Sequence, residues 1–118
     1  MELLLSKNEL VNSLQRVDFE QKTRAQIVKD FATQELEFNP DFISETGDSD
    51  KLILEIAENI IVLMKRGERS LLQLLYTVDL PEKYFLEIVQ EPDMPMILAE
   101  RILRREAYKI FLREKFSH

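Results

Sequence analysis

The stretch LILEIAENIIVLM, residues 52–64, decides the fold, because ten of its thirteen residues are apolar. It is too short to span a bilayer, which requires about 20 apolar residues. Its apolar side chains cover more of the helix than the one-sided stripe of a surface helix, so we expect neighbours on at least two sides. The sequence therefore predicts a buried central helix over about residues 50–66, which is capped by Asp48 or Ser49 and stops at Gly67.

Signals for helix starts and stops lie on both sides of this stretch. Ser6 and Glu9 have the spacing of a capping box, and Asp18 with Gln21 repeats it, so two helices are predicted there, the second ending near residue 34. No breaker separates these two helices, so they can also form one bent helix. An ordered acidic connection is predicted over residues 35–50, and three further helices are predicted over residues 70–78, 81–90 and 94–116. The fold prediction is an all-α, single-domain irregular bundle of five to six helices, spanning residues 1–118 around the central helix.

Composition limits the chemistry that this chain can perform. It contains no cysteine, and its only histidine is His118. Disulfides, thiolate zinc sites and cysteine nucleophiles are therefore excluded, and Ser-His-Asp catalysis loses its general base. We predict no catalytic residue, no metal site and no cofactor. Glu2 stands where a secretory signal has a basic residue, and the apolar run after it is only three residues long, so we expect a cytoplasmic protein without a membrane segment.

Five basic residues form a strip on the last predicted helix. Arg101, Arg105, Lys109 and Arg113 recur every four residues, and Arg104 widens the row. Such rows supply the sequence-independent part of nucleic-acid affinity, so an anion or nucleic-acid accessory role is one hypothesis for function. The alternative is a solvated helix face beside an acidic body. The net charge of −6 favours this alternative and makes nucleic acid an unexpected partner.

Four carboxylates from two predicted helices form a second pattern. Glu55 and Glu58 share one side of the central helix, and Asp79 and Glu82 lie at a helix start. Converging carboxylates hold Mg²⁺ in phosphate-ester enzymes. The pattern resembles the metal motif of the all-α nucleotide pyrophosphatases of the MazG type, Glu-x-x-Glu followed by Glu-x-x-Asp, with the second half inverted. The resemblance covers these four residues and implies metal-dependent hydrolysis, whereas ordinary exposed helix carboxylates are the favoured interpretation.

Residues 71–89 contain more apolar side chains than two short helices usually bury on one side. The surplus is either core or an interface, and burial cannot be derived from sequence. The leading hypothesis for function is a non-enzymatic protein-interaction or assembly module that binds a protein partner or forms a homodimer. The expected interface residues are Leu72, Leu75, Tyr76, Tyr84, Phe85 and Tyr108.

Overall fold

Six α-helices make up the structure, a computed structural model that describes residues 3–116. No strand occurs within that range, and 69% of the chain is helical, which confirms the all-α bundle. Nor does any helix in the described part of the chain combine the length and apolar character needed to cross a membrane. The helices are α1 (Lys7–Ser13), α2 (Val17–Ala32), α3 (Ser49–Arg66), α4 (Glu68–Val78), α5 (Lys83–Leu86) and α6 (Met94–Phe116).

The ends of α1 and α3 follow the local signals. Ser6 Oγ accepts a hydrogen bond from the Glu9 backbone amide at 3.1 Å, and the Glu9 carboxylate accepts one from the Ser6 amide at 2.9 Å. Asp48 caps α3 by accepting a hydrogen bond from the Lys51 amide at 3.1 Å. The helix stops at Gly67, whose φ of +127° lies in the region that favours glycine. The predicted start of α1 and both predicted ends of α3 are therefore confirmed.

Helix α2 differs from its prediction at its start. It begins at Val17, after Arg16, and has no side-chain cap. Asp18 lies in the first turn, where its carboxylate is 2.8 Å from the Arg16 guanidinium. Because Asp18 lies inside the helix and not immediately before it, it does not act as the predicted cap. A short turn at residues 14–16 separates α1 from α2, so the two are distinct helices.

The predicted helix over residues 81–90 is wrong for most of its length. Only the four residues of α5 are helical, and turns flank them. Several backbone hydrogen bonds in this segment join residues that are three positions apart, as in a 3₁₀ turn. The donors are the amides of Phe85, Ile88 and Glu91, and the acceptors are the carbonyls of Glu82, Phe85 and Ile88. This tighter winding directs Phe85 and Ile88 into the core at a spacing of three residues.

Helix α6 contacts all five other helices, whereas α3 packs mainly on α6 and α4. One stripe of α3 is buried, and it contains Leu52, Ile56, Ile60 and Leu63. The expected neighbours of α3 are therefore α6 and α4, but the opposite side of the helix faces solvent although it carries several apolar residues. The exposed apolar residues of α3 are Leu54, Ile61, Val62 and Met64.

The acidic connection between α2 and α3 is ordered, as predicted. Phe42 is buried in the core and stacks on Phe38, with ring centroids 4.3 Å apart. The buried Arg24 of α2 donates hydrogen bonds to the Phe42 carbonyl at 2.8 Å and to the Glu20 carboxylate at 2.7 Å. Glu20 in turn accepts a hydrogen bond from the Gly47 amide at 3.1 Å. The buried ion pair of Arg24 and Glu20 therefore stabilises this connection through one hydrogen bond to Phe42 and one from Gly47.

Candidate protein-interaction surface

The six residues predicted as an interface fall into three groups. Leu75 and Phe85 are buried and belong to the core. Tyr76, in contrast, is 88% exposed, the largest exposed fraction among the large apolar residues in the described range. Leu72 lies one helical turn before it and is half-buried. These two residues form a ridge on α4, which we call the Tyr76 ridge.

Two depressions flank the Tyr76 ridge, and Leu72 and Tyr76 line both of them. The first has a volume of about 240 Å³ and lies on the side of Pro81 and Glu82. The second, of about 520 Å³, lies on the side of Arg69. An exposed tyrosine between two depressions has the form of an interface anchor, because aromatic side chains supply large contact areas at low entropic cost.

Tyr84 and Tyr108, the remaining predicted interface residues, are half-buried and line neither depression. The backbone carbonyl of Tyr84 accepts a hydrogen bond from Arg101 at 2.6 Å. Tyr108 stacks on Phe111 of the same helix, with ring centroids 6.2 Å apart. The structure therefore does not bring these two tyrosines together with the Tyr76 ridge.

A second exposed surface lies on α3 and was missed by sequence reasoning. Leu54, Ile61 and Val62 are 47%, 41% and 40% exposed, and Glu58 and Lys65 lie beside them and are also exposed. We call these five residues the α3 face. The available signal was that Glu58 and Lys65 mark one side of a helix that is otherwise apolar, which indicates that this side contacts water.

The predicted basic strip on α6 is used mostly for internal contacts. Four of its five residues donate hydrogen bonds to backbone carbonyls or carboxylates of other elements. These contacts tie the N-terminal residues and the region after α4 to α6. The donors and acceptors are Arg101 to Tyr84 O and Glu87, Arg104 to Leu5 O, Arg105 to Leu3 O and Asp79, and Lys109 to Asp30.

The fifth residue of the strip, Arg113, lines a groove between α2 and α6. The groove has a volume of about 660 Å³, and Lys22, Lys29 and Glu114 also line it. Arg113 donates a hydrogen bond to the Gln26 side chain at 2.6 Å, at the wall of this groove. Three basic side chains and one acidic side chain therefore surround an open groove on an acidic protein.

A buried polar cluster links α2 to α6 next to this groove. Gln26 donates a hydrogen bond to Asp30 at 2.9 Å, and the Lys109 ammonium is 2.9 Å from Asp30 and 2.6 Å from Glu106. Glu106 is fully buried. Its contact with Lys109 is close but poorly directed, and within residues 3–116 neither Glu106 oxygen has a hydrogen bond of good geometry.

The environment of Glu106 favours its protonated form. Burial raises the pKa of Glu106 to about 8, the neighbouring Asp30 carboxylate acts in the same direction, and the Lys109 ammonium opposes them. The carboxyl group is therefore mostly protonated at neutral pH. No sequence pattern marked Glu106, because its burial depends on how α2 packs against α6.

The four carboxylates of the metal hypothesis do not converge. Glu55 and Glu58 line a depression near Glu45, whereas Asp79 and Glu82 line the smaller depression beside the Tyr76 ridge. In the described part of the chain, no three His, Cys, Asp or Glu residues are arranged as metal ligands. The convergence that the pyrophosphatase resemblance implied is thus not observed.

The Tyr76 ridge, the α3 face and the groove between α2 and α6 are therefore the surfaces on which a functional hypothesis can be based. Two of the three are apolar and lie on the consecutive helices α3 and α4. No family model matches this chain, and no curated protein and no solved structure is significantly similar to it.

Proposed function

We propose that this protein is a non-enzymatic assembly module that self-associates through the exposed apolar surface of α3 and α4. The observation that carries the proposal is the exposure of Tyr76 together with Leu54, Ile61 and Val62 on these consecutive helices. Fully burying an exposed Val, Leu or Ile side chain contributes about 1.5–3 kcal/mol. Leu54, Ile61 and Val62 are 40–47% exposed, so a partner that covers them gains about half of that per residue.

Charge around the Tyr76 ridge also supports association with a second copy. Arg69 borders one depression and Glu82 borders the other, so the two ends of the ridge have opposite charge. Both side chains are exposed, and neither forms an ion pair within residues 3–116. A surface with a basic and an acidic end can complement its own copy when the two are related by a two-fold axis.

Sedimentation equilibrium over a wide concentration range tests the proposal. The chain mass is 14.0 kDa, and we expect the weight-average mass to rise towards twice that value as the concentration increases. The combined substitution Ile61→Ser and Tyr76→Ser is expected to weaken association. Val17→Ser is the control, because Val17 is also apolar and exposed but lies on α2. A mass that stays at 14.0 kDa throughout contradicts the proposal.

Anion binding in the groove between α2 and α6 is the second candidate function. Lys22, Lys29 and Arg113 supply positive charge there, and Lys29 forms no ion pair in the described range. The test is fluorescence anisotropy of a short single-stranded oligonucleotide at low salt, where electrostatic contacts are strongest. Lys29→Glu should weaken binding, and Lys83→Glu on α5 should leave it unchanged. Absence of binding at low salt discards this candidate.

A further inference from the structure

The α3 face has a charge order that can complement a second copy. Glu58 precedes the apolar pair Ile61 and Val62 by about one helical turn, and Lys65 follows it by about one turn. At 100° per residue, all five residues of the face lie within an arc of about 100° around the helix axis. The acidic and basic groups therefore lie on opposite sides of the apolar pair along the helix.

Neither charge is neutralised within the described residues. Glu58 and Lys65 are both exposed, and no ion pair or side-chain hydrogen bond within residues 3–116 involves either one. Two other charged residues of α3 do have partners, since Lys51 pairs with Glu45 and Arg66 donates a hydrogen bond to the Gln34 carbonyl. Glu58 and Lys65 are thus available to an external partner.

We infer that two copies of this chain pair through their α3 faces in antiparallel orientation, about a two-fold axis between Ile61 and Val62. The inference rests on the proposed self-association and specifies its contact surface. Glu58 and Lys65 each lie 3.5 residues from the midpoint of the apolar pair, which is about 5 Å along the helix. An antiparallel copy therefore places each Glu58 opposite the Lys65 of the other copy, and the symmetry makes two such pairs.

Other arrangements of the two helices are less favourable. A parallel copy in register places Glu58 beside Glu58 and Lys65 beside Lys65, and like charges repel. An antiparallel copy centred on Glu58 again places two carboxylates together. Only a centre near Ile61 and Val62 combines apolar contact with two pairs of opposite charge.

The α3 face also suits a second copy better than the Tyr76 ridge does. The ridge projects one tyrosine, so a second copy must receive it in a depression beside its own Tyr76, which requires a close steric match. The α3 face is one helix side with three partly exposed apolar residues and two unpaired charges. Two helix sides of this kind can pack against each other without a hollow.

Charge reversal tests this arrangement. Glu58→Lys alone and Lys65→Glu alone each replace both attractive pairs by repulsive ones, and each should weaken the dimer by about tenfold or more. The double variant Glu58→Lys with Lys65→Glu restores opposite charges in both pairs and should recover association to within about threefold of the original. Helix content measured by circular dichroism verifies that all three variants are folded.

Cysteine cross-linking locates the axis independently, because the natural chain has no cysteine. Val62→Cys places thiols of the two copies close to the two-fold axis and should give a covalent dimer upon mild oxidation. Val17→Cys on α2 is the control outside the proposed contact surface and should remain uncross-linked at the same protein concentration. Tyr76→Cys tests the ridge as the alternative position of the axis, and the α3 pairing predicts less cross-linking there than at Val62→Cys.

The outcomes separate the inference from the function that it depends on. If the natural chain is monomeric at every concentration, the proposed function and the inference are both overturned. If the natural chain dimerises but the double charge variant does not recover, or if only Tyr76→Cys cross-links, the α3 pairing is overturned and self-association remains. Recovery of the double variant together with cross-linking at Val62→Cys supports both.

Discussion

Replacing Glu106 by glutamine should stabilise the protein at neutral pH. Glu106 is fully buried between α2 and α6, beside Asp30 and Lys109. Glutamine has nearly the same shape as a protonated glutamic acid, so it preserves packing in this cluster. It carries no ionisable group, so folding no longer requires a proton at this position.

The size of the effect follows from the pKa of Glu106. Burial, reinforced by Asp30 and opposed by Lys109, raises that pKa from its ordinary 4.5 to about 8. At pH 7 the unfolded chain holds this group as a carboxylate, whereas the folded protein keeps the proton. One pKa unit corresponds to about 1.4 kcal/mol, so the folded state is destabilised by about 3 kcal/mol at pH 7 and by about 5 kcal/mol above pH 8.

The sign of the pH dependence is fixed by this shift. Below pH 4.5 Glu106 is protonated in both the folded and the unfolded state, so it does not destabilise the fold there. As the pH rises from 4.5 to about 8, only the unfolded state loses the proton, and the free energy of unfolding decreases. The pKa values of Glu9, Asp18 and Glu114 are lowered by hydrogen bonds and ion pairs, and these groups act in the opposite sense at pH values below about 4.5. The window from pH 5 to pH 8 therefore isolates Glu106.

Urea-induced unfolding followed by circular dichroism at several pH values in that window is the assay. The free energy of unfolding of Glu106→Gln should exceed that of the natural chain by about 3 kcal/mol at pH 7 and by much less at pH 5. Glu91→Gln is the control for loss of one carboxylate, because Glu91 is exposed and forms no ion pair within residues 3–116. A difference that does not change between pH 5 and pH 8 refutes the reasoning, since it means that Glu106 does not titrate there.

Three further substitutions test the fold locally. Arg24→Met leaves the buried Glu20 carboxylate without its partner and should cost about 3–5 kcal/mol in the free energy of unfolding; an unchanged urea midpoint contradicts this. Gly67→Ala should cost about 1–3 kcal/mol, because φ is +127° although no atom lies within 4 Å of the added Cβ. The melting temperature measures this loss, and an increase would show that the backbone there is not strained by alanine. Ser6→Ala removes the hydrogen bond that the Glu9 amide donates and should cost about 1 kcal/mol, measured by urea unfolding; a stability equal to that of the natural chain would mean that α1 does not depend on its cap.

Several helix boundaries could be predicted because their causes are local. The hydroxyl of Ser6 and the carboxylate of Asp48 each cap a backbone amide three residues away, so the pattern is visible in the sequence. Gly67 ends α3 through its own backbone conformation. The segment after Pro81 could not be predicted in this way, because its winding follows from burying Phe85 and Ile88 in the core.

The candidate surfaces depended on packing between distant segments. Ile56 and Ile61 are equally apolar in the sequence, but α6 and α4 cover only the side of α3 that carries Ile56. Likewise Arg105 and Arg113 belong to one basic strip, yet Arg105 reaches the Leu3 carbonyl while Arg113 lines an open groove. Which side of a helix is covered depends on which neighbours pack against it.

The sequence by itself determined the all-α class, most of the helix ends and the absence of cysteine chemistry, because composition and caps act through residues close together in the chain. The tertiary structure alone decided that Glu106 is buried, that four of the five strip bases bind internal acceptors, and that Ile61 and Val62 face solvent. These properties depend on the relative placement of α2, α3 and α6, helices separated by many residues. Burial and pairing between distant segments are consequences of packing, and packing is not encoded in any short stretch of the chain.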